Sequence, residues 1–354
     1  MRIATLGNAS VIHTRRWVEW FRARGHDVEL WSLERGAPEL RVRVLPRPPL
    51  PGLLRYPLAV PALRQELSAF RPDLVDAHYI PNYGLMAVLA GFAPRVISAW
   101  GSDLLRDPRR DPFRRARARF VLAHADHVVT DSENLAAAAR GLGAPPDLVS
   151  AIPWGIDLSR FAMGKERESG LVVSTRLHEP IYDLPTLIRG VARAQRARPE
   201  LHLVIAGDGS RRAEIEAQAA RELRAGSWRM LGTLAPADLA GWLGRAEVYV
   251  AAARSDSTSV SLLEAMACGA IPVVADLEGN REWVSEGEGA RLFPAGDDMR
   301  LAAGLEAVLA DTAWRERARA YNRRIVETRG DAAINMPRVE ALFARVAGGV
   351  RPHA

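Results

Sequence analysis

The chain alternates between short runs rich in Val, Ile and Leu and longer segments whose apolar residues recur every three to four positions. In the first half, the short runs predict buried strands at 2–7, 27–33, 73–79, 95–101, 127–132 and 148–154. In the second half, they predict strands at 171–177, 201–207, 228–232, 248–253 and 271–276. Strands that alternate with helices at this spacing predict parallel sheets with right-handed crossovers.

A break in this alternation divides the chain into two α/β domains. Residues 162–170 are small, charged and aperiodic, as is usual in interdomain linkers. A length of 354 residues also exceeds that of one ordinary domain. We therefore predict domains over 1–160 and 161–330, followed by a terminal segment, 331–354, with a helical pattern. The prolines within 46–61 predict a long irregular loop in the first domain.

Composition excludes several classes of protein. Hydrophobic residues make up 48% of the chain and charged residues 25%, which indicates folded domains with apolar cores. No segment approaches the ~20 apolar residues of a membrane-spanning helix, and no signal peptide precedes the first strand. A lone cysteine, Cys268, excludes an intramolecular disulfide framework. We expect a cytoplasmic protein.

The formal charge of +6 is concentrated in the N-terminal half, and its densest stretch is Arg106–Arg119. One interpretation is a solvated helix face; the other is peripheral contact with an anionic membrane at its inner face, or with a lipid-linked substrate. Few aromatic residues interleave with these arginines, so no nucleic-acid partner is expected.

Ligands of open α/β sheets bind outside the carboxyl ends of the strands, which directs attention to the loops there. In the first domain, Gly7 and Asn8 follow the first strand, and His78 ends the strand at 73–79. Small residues such as Gly7 let backbone amides approach a ligand, although a plain tight turn would use them equally well. His78 has two interpretations as well, a structural histidine or one that faces a ligand.

In the second domain, Arg176 follows a strand and could bind a phosphate with its planar guanidinium; the alternative is an ion pair with Glu179 or Asp183. Gly207 and Gly209 allow a tight strand-to-helix turn, with Asp208 available for backbone contacts; we interpret it as a mostly structural turn beside a nucleotide.

The strongest chemical pattern is the segment RSDSTSVSLLEAMACGAIPVVAD, at 254–276. A hydroxyl-rich turn, Asp256–Ser259, precedes a helix predicted over Val260–Cys268. Free amides and the positive end of a helix suit a diphosphate, whereas the carboxylates of Asp256 and Glu264 suit sugar hydroxyls. The structural alternative is a helix cap by Asp256 or Ser257 with a solvated Glu264.

This segment resembles glycosyltransferase family 4, whose members are retaining nucleotide-sugar enzymes. Weaker similarities occur in the family's order, in RRWVEWFRARGHDV, DLVDAHY, ADHVVTDSE, IPWGID and the STRL and AGDG segments. The resemblance implies the GT-B fold, in which two Rossmann-like, doubly wound domains face each other across a cleft. The first domain would bind the acceptor, the second the nucleotide sugar, and the terminal helix would cross back to the first domain.

The resemblance also implies roles for particular residues. The implied catalytic residues are His78, Arg176 and Asp256. The implied donor-binding residues are Gly7, Asn8, Arg176, Gly207, Asp208, Leu231, Thr258, Ser259, Val260 and Glu264. In this scheme the amides of Thr258, Ser259 and Val260 hold the diphosphate and Glu264 binds the ribose. Neither a metal nor another cofactor is expected.

Two departures from the family pattern concern the leaving group. The first of the family's paired glutamates is an aspartate here, Asp256. The family's phosphate-binding lysine is absent, and Ile181 and Tyr182 occupy its place. Less positive charge would then face the departing diphosphate.

Two other functions stay open at this point. A nucleotide-sugar epimerase of the same architecture would share the nucleotide site but need acid and base groups around the sugar. A catalytically weak protein that only binds nucleotide sugars would carry the same turn.

Overall fold

The computed structural model describes residues 1–46, 50 and 54–349. Contacts divide it into two compact units, Met1–Ile152 together with the chain from Pro337 onward, and Pro153–Met336. The observed divisions therefore fall at 152/153 and 336/337, close to those expected at 160/161 and 330/331.

The first unit is built on a parallel sheet. Its strands are β1 (Arg2–Leu6), β2 (Asp27–Ser32), β3 (Val42–Val44), β4 (Leu74–His78), β5 (Arg95–Ser98), β6 (His127–Thr130) and β7 (Val149–Ala151). They lie in the order β3-β2-β1-β4-β5-β6-β7. The order reverses direction after β1, which is the place where doubly wound sheets bind ligands.

The second unit repeats this arrangement. Its strands are β8 (Leu171–Ser174), β9 (His202–Ala206), β10 (Trp228–Gly232), β11 (Val248–Ala251), β12 (Ile271–Ala275) and β13 (Arg291–Phe293). They lie in the order β10-β9-β8-β11-β12-β13, and every pairing is parallel. The reversal here lies between β8 and β11.

Helices connect the strands of both units. In the first unit they are α1 (Ile12–Ala23), α2 (Arg55–Leu58), α3 (Val60–Phe70), α4 (Leu85–Ala90), α5 (Ser102–Leu105), α6 (Asp107–Arg110), α7 (Pro112–Ala123) and α8 (Glu133–Gly141). In the second they are α9 (Leu184–Ala197), α10 (Arg212–Glu222), α11 (Pro236–Arg245), α12 (Val260–Cys268), α13 (Glu278–Arg281), α14 (Asp298–Ala310) and α15 (Thr312–Ile325). The last helix, α16 (Ala332–Ala347), begins in the second unit and continues in the first.

Burial on both faces explains why the strand sequences are apolar throughout. In β8, Val172 packs into one layer of the second unit and Val173 into the layer on the opposite face. In the first unit, α16 contributes to the core through Phe343, whose ring stacks on Phe21 at a centroid distance of 5.2 Å.

The predicted strands are confirmed, but the edge strands β3 and β13 were missed. The predicted loop at 46–61 is partly wrong, because Pro57 lies in α2 and Pro61 in the first turn of α3. Proline is accepted in a first helical turn since its missing N–H has no partner there. Pro48, Pro49 and Pro51 lie outside the described residues.

Candidate functional site

The hydroxyl-rich turn of the second unit leads directly into α12. This helix covers Val260–Cys268, as predicted, and its cap is Ser259, whose Oγ accepts a hydrogen bond from the Leu262 amide at 3.4 Å. The proposed cap by Asp256 or Ser257 is therefore not the one observed. Ser257, Thr258 and Ser259 are all buried, and Thr258 Oγ1 accepts from Trp283 Nε1 at 3.2 Å. These contacts connect the turn to the first turn of α12 and to Trp283.

Arg176 lies against this turn. Its Nη1 donates to Ser259 Oγ and Ser261 Oγ, both at 2.7 Å, and its Nη2 donates to Asp256 Oδ2 at 2.6 Å. The ring of Tyr182 stacks on the guanidinium, with its centroid 4.2 Å from Cζ. Arg176 is 7% exposed, and its Nε has no hydrogen-bond partner among the described residues. The site thus holds a fixed guanidinium with a donor still to be used.

Burial opposes the charge of Arg176, but nearby groups favour it more strongly. The carboxylate of Asp256 and the phenol groups of Tyr249 and Tyr182 offset the burial and raise the pKa of Arg176 above its ordinary value. Tyr249 is itself fully buried, which raises the pKa of its hydroxyl, and this hydroxyl donates to Ser261 at 3.0 Å. Arg176 is therefore a permanent cation at this position.

The two acids suggested as partners of Arg176 are engaged elsewhere. Asp183 caps α9 through Thr186 and pairs with Arg254, whose Nε lies 2.5 Å from its Oδ2. Glu179 accepts from the amide and hydroxyl of Ser210 at 2.8 and 2.7 Å. The Arg254 amide also donates to the Ile181 carbonyl at 2.8 Å, so the β8–α9 loop and the β11–α12 turn are joined at two points.

Glu264 lies on α12 and is 5% exposed, so the alternative of a solvated carboxylate is wrong. Burial of the Cys268 thiol and the nearby charge of Glu264 together raise the pKa of Cys268 to about 12. Asp256 and Glu264 therefore occupy different environments, one carboxylate in the turn on the guanidinium and the other buried along the helix.

Three further residues of the second unit were predicted to border the donor: Gly207, Asp208 and Leu231. Of these, Gly207 lies against the backbone of Arg176. Gly207 has φ +127°, and a Cβ there would lie 2.6 Å from the Arg176 carbonyl oxygen, so this approach requires glycine. Asp208 is exposed, and its carbonyl accepts from the His178 amide at 2.9 Å. Leu231 is half-buried in β10, against the apolar layer of this face.

The sequence interpretation missed several residues here. It did not select Ser261, Tyr182 as a contact of Arg176, or His178. His178 has no exposed surface, its pKa is lowered by burial, and neither ring nitrogen has a hydrogen-bond partner in the described ranges. The position of Ser261 in the first turn of α12 is a signal that could have identified it.

In the first unit, His78 ends β4 and is 2% exposed. Its Nε2 lies 2.9 Å from Oδ2 of Asp76, and the other oxygen of this fully buried carboxylate accepts from Ser98 Oγ at 2.8 Å. Asp76 was not selected from the sequence, although alternate residues of a strand share one face.

Aromatic rings enclose His78. The ring of Trp17 lies edge-on at a centroid distance of 5.3 Å and that of Trp100 at 4.9 Å. Gly7 lies beside the imidazole, since a Cβ on it would be 3.4 Å from His78 Nδ1. The side chain of Asn8, the next residue, accepts from the amide and hydroxyl of Ser10. The structure thus brings Gly7 and His78 together at the end of the first sheet.

The basic segment Arg106–Arg119 forms α6 and most of α7. Arg109, Arg110 and Arg115 are exposed and line a groove of about 800 Å³ that also contains Leu104 and Leu142.

Among the described residues, no group of His, Cys, Asp and Glu could hold a metal ion. No helix within the described ranges is long and apolar enough to cross a bilayer.

Comparison with known families covers most of the chain. Residues 9–155 match the family described as "Glycosyl transferase 4-like domain", and residues 168–311 match "Glycosyl transferases group 1". The chain belongs to the GT4-type glycosyltransferases.

Among curated proteins, the chain is similar to phosphatidyl-myo-inositol mannosyltransferase of Mycolicibacterium smegmatis, with 32% identity over 45% of this chain and 42% of the relative. It is also similar to D-inositol 3-phosphate glycosyltransferase of Kribbella flavida, with 29% identity over 59% of this chain and 54% of the relative. The chain spans about half the length of the curated relatives it matches first.

Solved structures agree on the fold. Anabaena HepE in complex with UDP superposes with a TM-score of 0.81 at 18% identity, covering 97% of this chain and 100% of that one. Sucrose-phosphate synthase from Thermosynechococcus elongatus gives a TM-score of 0.84 at 18% identity, over 98% and 99%. The two parallel Rossmann-like sheets are those of the GT-B fold, as predicted.

Proposed function

We propose that the protein is a retaining glycosyltransferase that moves a hexose from a nucleoside-diphosphate sugar to an acceptor hydroxyl. One observation carries the proposal: a buried guanidinium, Arg176, is fixed by hydroxyls at the start of α12 and keeps an unused N–H donor. A helix start beside a permanent cation is the arrangement that diphosphate groups favour. The complexes of structural relatives with UDP and UDP-glucose support the same class of donor.

The donor would occupy the carboxyl edge of the second sheet. In this proposal the amides of Thr258, Ser259 and Val260 hold the diphosphate and Glu264 binds the ribose. Asp256 would meet the sugar, and Gly207, Asp208 and Leu231 would border the nucleotide. In the first unit, Gly7, Asn8 and His78 would contact the sugar from the end of the first sheet.

The reaction breaks the bond between the anomeric carbon and the diphosphate oxygen and forms one from that carbon to the acceptor oxygen on the same face. The acceptor proton passes to an oxygen of the departing diphosphate. Arg176 and the start of α12 stabilise the negative charge that develops there, and such preorganised donors are the largest catalytic contribution in many enzymes. No step is assigned to a metal or another cofactor.

The acceptor would be a glycan, a lipid-linked molecule or a small molecule, and the pathway would be cell-envelope or glycoconjugate biosynthesis. The inositol-containing names of the curated relatives support a hydroxyl acceptor of this kind.

A ligand screen tests the proposal. UDP, GDP and ADP, each alone and linked to glucose or mannose, are added during thermal unfolding, and a bound nucleotide raises the midpoint by mass action. We expect nucleotides of one base to raise the midpoint most, and the sugar linked to that nucleotide to be transferred when acceptors are supplied. If the sugar is epimerised rapidly without an acceptor, the protein is an epimerase. If it binds and nothing turns over, the protein is a binding protein.

We further propose that the exposed face of α6 and α7 contacts an anionic membrane, at the cytoplasmic side where nucleotide sugars are available. Phe113 and Phe120, 69% and 40% exposed, lie on α7 among exposed arginines. Exposed aromatic rings beside cations are typical of membrane interfaces, where each cation contributes about 1 kcal/mol.

Vesicle flotation tests this contact. The arginines to replace with glutamine are Arg109, Arg115 and Arg119, which are exposed, because Arg110 and Arg114 both pair with Asp107. The same charge change at Arg196, Arg221 and Arg229, exposed on the second unit, is the matched control. We expect only the first triple variant to lose binding to phosphatidylglycerol vesicles. If both triple variants float equally with the vesicles, the proposed membrane contact is contradicted.

A further inference from the structure

The guanidinium of Arg176 binds an anion that belongs to the protein itself. Its Nη2 donates to Asp256 Oδ2 at 2.6 Å, and its Nη1 donates to the hydroxyls of Ser259 and Ser261, both at 2.7 Å. Nε, the remaining nitrogen, is buried and has no hydrogen-bond partner among the described residues. Serine hydroxyls therefore hold one nitrogen of the guanidinium, and a carboxylate holds another.

A diphosphate would need the nitrogen that Asp256 holds. Nε and Nη2 lie on the same edge of a guanidinium, and phosphate oxygens bind such an edge in pairs, one oxygen to each nitrogen. Nη1 of Arg176 is already used by two hydroxyls, so the edge left for a ligand is the one formed by Nε and Nη2. The Asp256 carboxylate takes the place of a phosphate oxygen on that edge.

The charges at this contact do not favour two bound anions. A diphosphate carries several negative charges and Asp256 carries one, whereas Arg176 supplies a single positive charge. The place of the family's phosphate-binding lysine is taken by Ile181 and Tyr182, which bring no charge. Arg254, at the start of the same turn, is already paired with the carboxylate that caps α9. A diphosphate and the Asp256 carboxylate bound to Arg176 together would therefore repel each other.

The side chain of Asp256 is the part of this contact that can move. The side chain of Arg176 is 8% exposed and is held by two serines and the Tyr182 ring, whereas that of Asp256 is 19% exposed. The backbone of the turn packs against α13, because a Cβ on Gly279 would lie 2.9 Å from the Asp256 carbonyl oxygen. A rotation of the Asp256 side chain toward solvent would thus release the guanidinium edge without moving the turn.

We propose that Asp256 occupies the place of the diphosphate on Arg176 in the empty site and gives it up when the donor binds. The inference rests on the proposed function and adds an exchange of anions to it, in which one ion pair breaks and another forms on the same guanidinium. Asp256 is a positioning residue that orients Arg176 while the site is empty. After its release, the carboxylate is free to meet the sugar, which is neutral and does not repel it.

Calorimetry on Asp256→Asn tests the exchange. Asparagine keeps the shape of the side chain and can still accept from Nη2, but it has no charge, so the diphosphate has a weaker competitor for Arg176. We expect the nucleoside diphosphate that the ligand screen selects to bind at least ~10-fold more tightly than to the wild type, which corresponds to about 1.4 kcal/mol. Unchanged or weaker binding overturns the proposal.

Asp276→Asn is the matched control. Asp276 follows β12 at the same edge of the sheet, and its two oxygens accept from Nε and Nη2 of Arg281 at 2.5 and 2.6 Å. The substitution removes the same charge from the same edge but leaves the pair on Arg176 intact. We expect its nucleotide affinity to equal that of the wild type. If Asp276→Asn binds the nucleotide as tightly as Asp256→Asn does, the gain comes from net charge alone and the proposal is overturned.

Thermal midpoints of the free and the nucleotide-saturated protein distinguish an exchange from simple repulsion. A gain in affinity comes either from a less stable empty protein or from a more stable complex. In an exchange, Asp256→Asn lowers the midpoint of the free protein and leaves the midpoint at one saturating nucleotide concentration unchanged. If the free midpoint is unchanged and the saturated one rises, Asp256 does no more than repel the ligand, and the proposal is overturned.

A structure of the wild type with the nucleoside diphosphate decides the matter if Asp256→Asn does not fold. We expect phosphate oxygens on Nε and Nη2 of Arg176 and no carboxylate there. A complex in which Asp256 still accepts from Nη2 overturns the proposal. Were the wild type to bind no nucleoside diphosphate at all, the proposed function would fail and this inference with it.

Discussion

The carboxyl edges of the two sheets share a topology but carry opposite chemistry. At the second edge, Arg176 binds hydroxyls and a carboxylate that come from a turn and the first turn of a helix. At the first edge, His78 is enclosed by aromatic rings and held by residues within the strands themselves. One edge offers several donors and a fixed positive charge, and the other holds a buried imidazole between a carboxylate and aromatic rings.

This difference indicates a division of labour. A diphosphate has many oxygens and spreads its charge, so several donors from loops and a helix start suit it. A sugar hydroxyl is neutral and directional, and a single rigid acceptor distinguishes its position. Under the proposed function, the residues that follow each strand would adapt similar scaffolds to different ligands.

Removing the cation of the second edge should have the largest effect. Arg176→Ala is expected to lower kcat about 100- to 1,000-fold, because the charge on the leaving group then loses its main stabilising donor. Donor affinity, measured by calorimetry, should fall less. Ser261→Ala, which removes one of the contacts of Arg176, is the matched control and should reduce kcat far less. A loss of affinity without a loss of kcat would place Arg176 in ground-state binding alone.

Acid should weaken the first sheet through His127, at the start of β6. Burial, with the nearby charge of Arg345, lowers its pKa from 6.5 to about 4. Between these values the unfolded chain binds a proton that the folded chain does not, so stability falls as the pH drops through this window. The loss at pH 4 is about 3 kcal/mol.

His127→Gln should remove this contribution while keeping a group able to bond Ser150, which lies 2.9 Å from Nε2. Thermal midpoints at pH 7 and pH 4.5 are compared for both proteins. We expect a smaller difference between the two pH values in the variant; an identical difference would contradict a neutral buried His127.

Glu264→Ala should weaken nucleoside diphosphate binding about 10- to 100-fold, the effect of losing charge-assisted hydrogen bonds to a ribose. Glu264→Gln keeps the shape of the side chain and should lose less affinity for the nucleoside diphosphate than Glu264→Ala does. Calorimetry that finds the same affinity in Glu264→Ala and wild type would reject the ribose assignment.

The smallest effect is expected at Tyr182. Its ring stacks on Arg176, and such contacts contribute about 0.5–2 kcal/mol. Tyr182→Leu should therefore lower kcat a few-fold, and Tyr182→Phe should keep most of the wild-type rate. If Tyr182→Phe lowers kcat as much as Tyr182→Leu does, the hydroxyl of Tyr182 rather than its stacked ring supports Arg176.

Periodicity predicted most of the fold because it reports local burial. The helix Val260–Cys268 was predicted with its observed bounds, since a polar turn precedes it and Gly269 ends it. The edge strands β3 and β13 have three residues each, and most of their side chains are not buried, so no apolar run indicates them. The equally short β7 was predicted because it lies within the apolar run at 148–154. Pro57 and Pro61 were assigned to a loop because residue type alone does not distinguish a first helical turn from an irregular segment.

The sequence predicted which residues lie at the candidate site but not which hydrogen bonds and ion pairs they form there. Strand ends identified Arg176, Asp256 and His78, because parallel strands bring their carboxyl ends together. The partner of Arg176 could not be predicted, since Glu179 and Asp183 are close to it in sequence whereas Asp256, the observed partner, is 80 residues away. Their choice depends on long-range packing, which directs Asp183 to Arg254 and Glu179 to Ser210.

The most direct test of the central claim compares two nucleotides of the same base on the intact protein. Calorimetric titration measures the affinity for the nucleoside diphosphate that the ligand screen selects and for the corresponding monophosphate. A site built from Arg176 and the start of α12 should bind the diphosphate at least ~10-fold more tightly, and Arg176→Ala should abolish most of this preference. Equal affinity for the two nucleotides in the wild type would contradict the account.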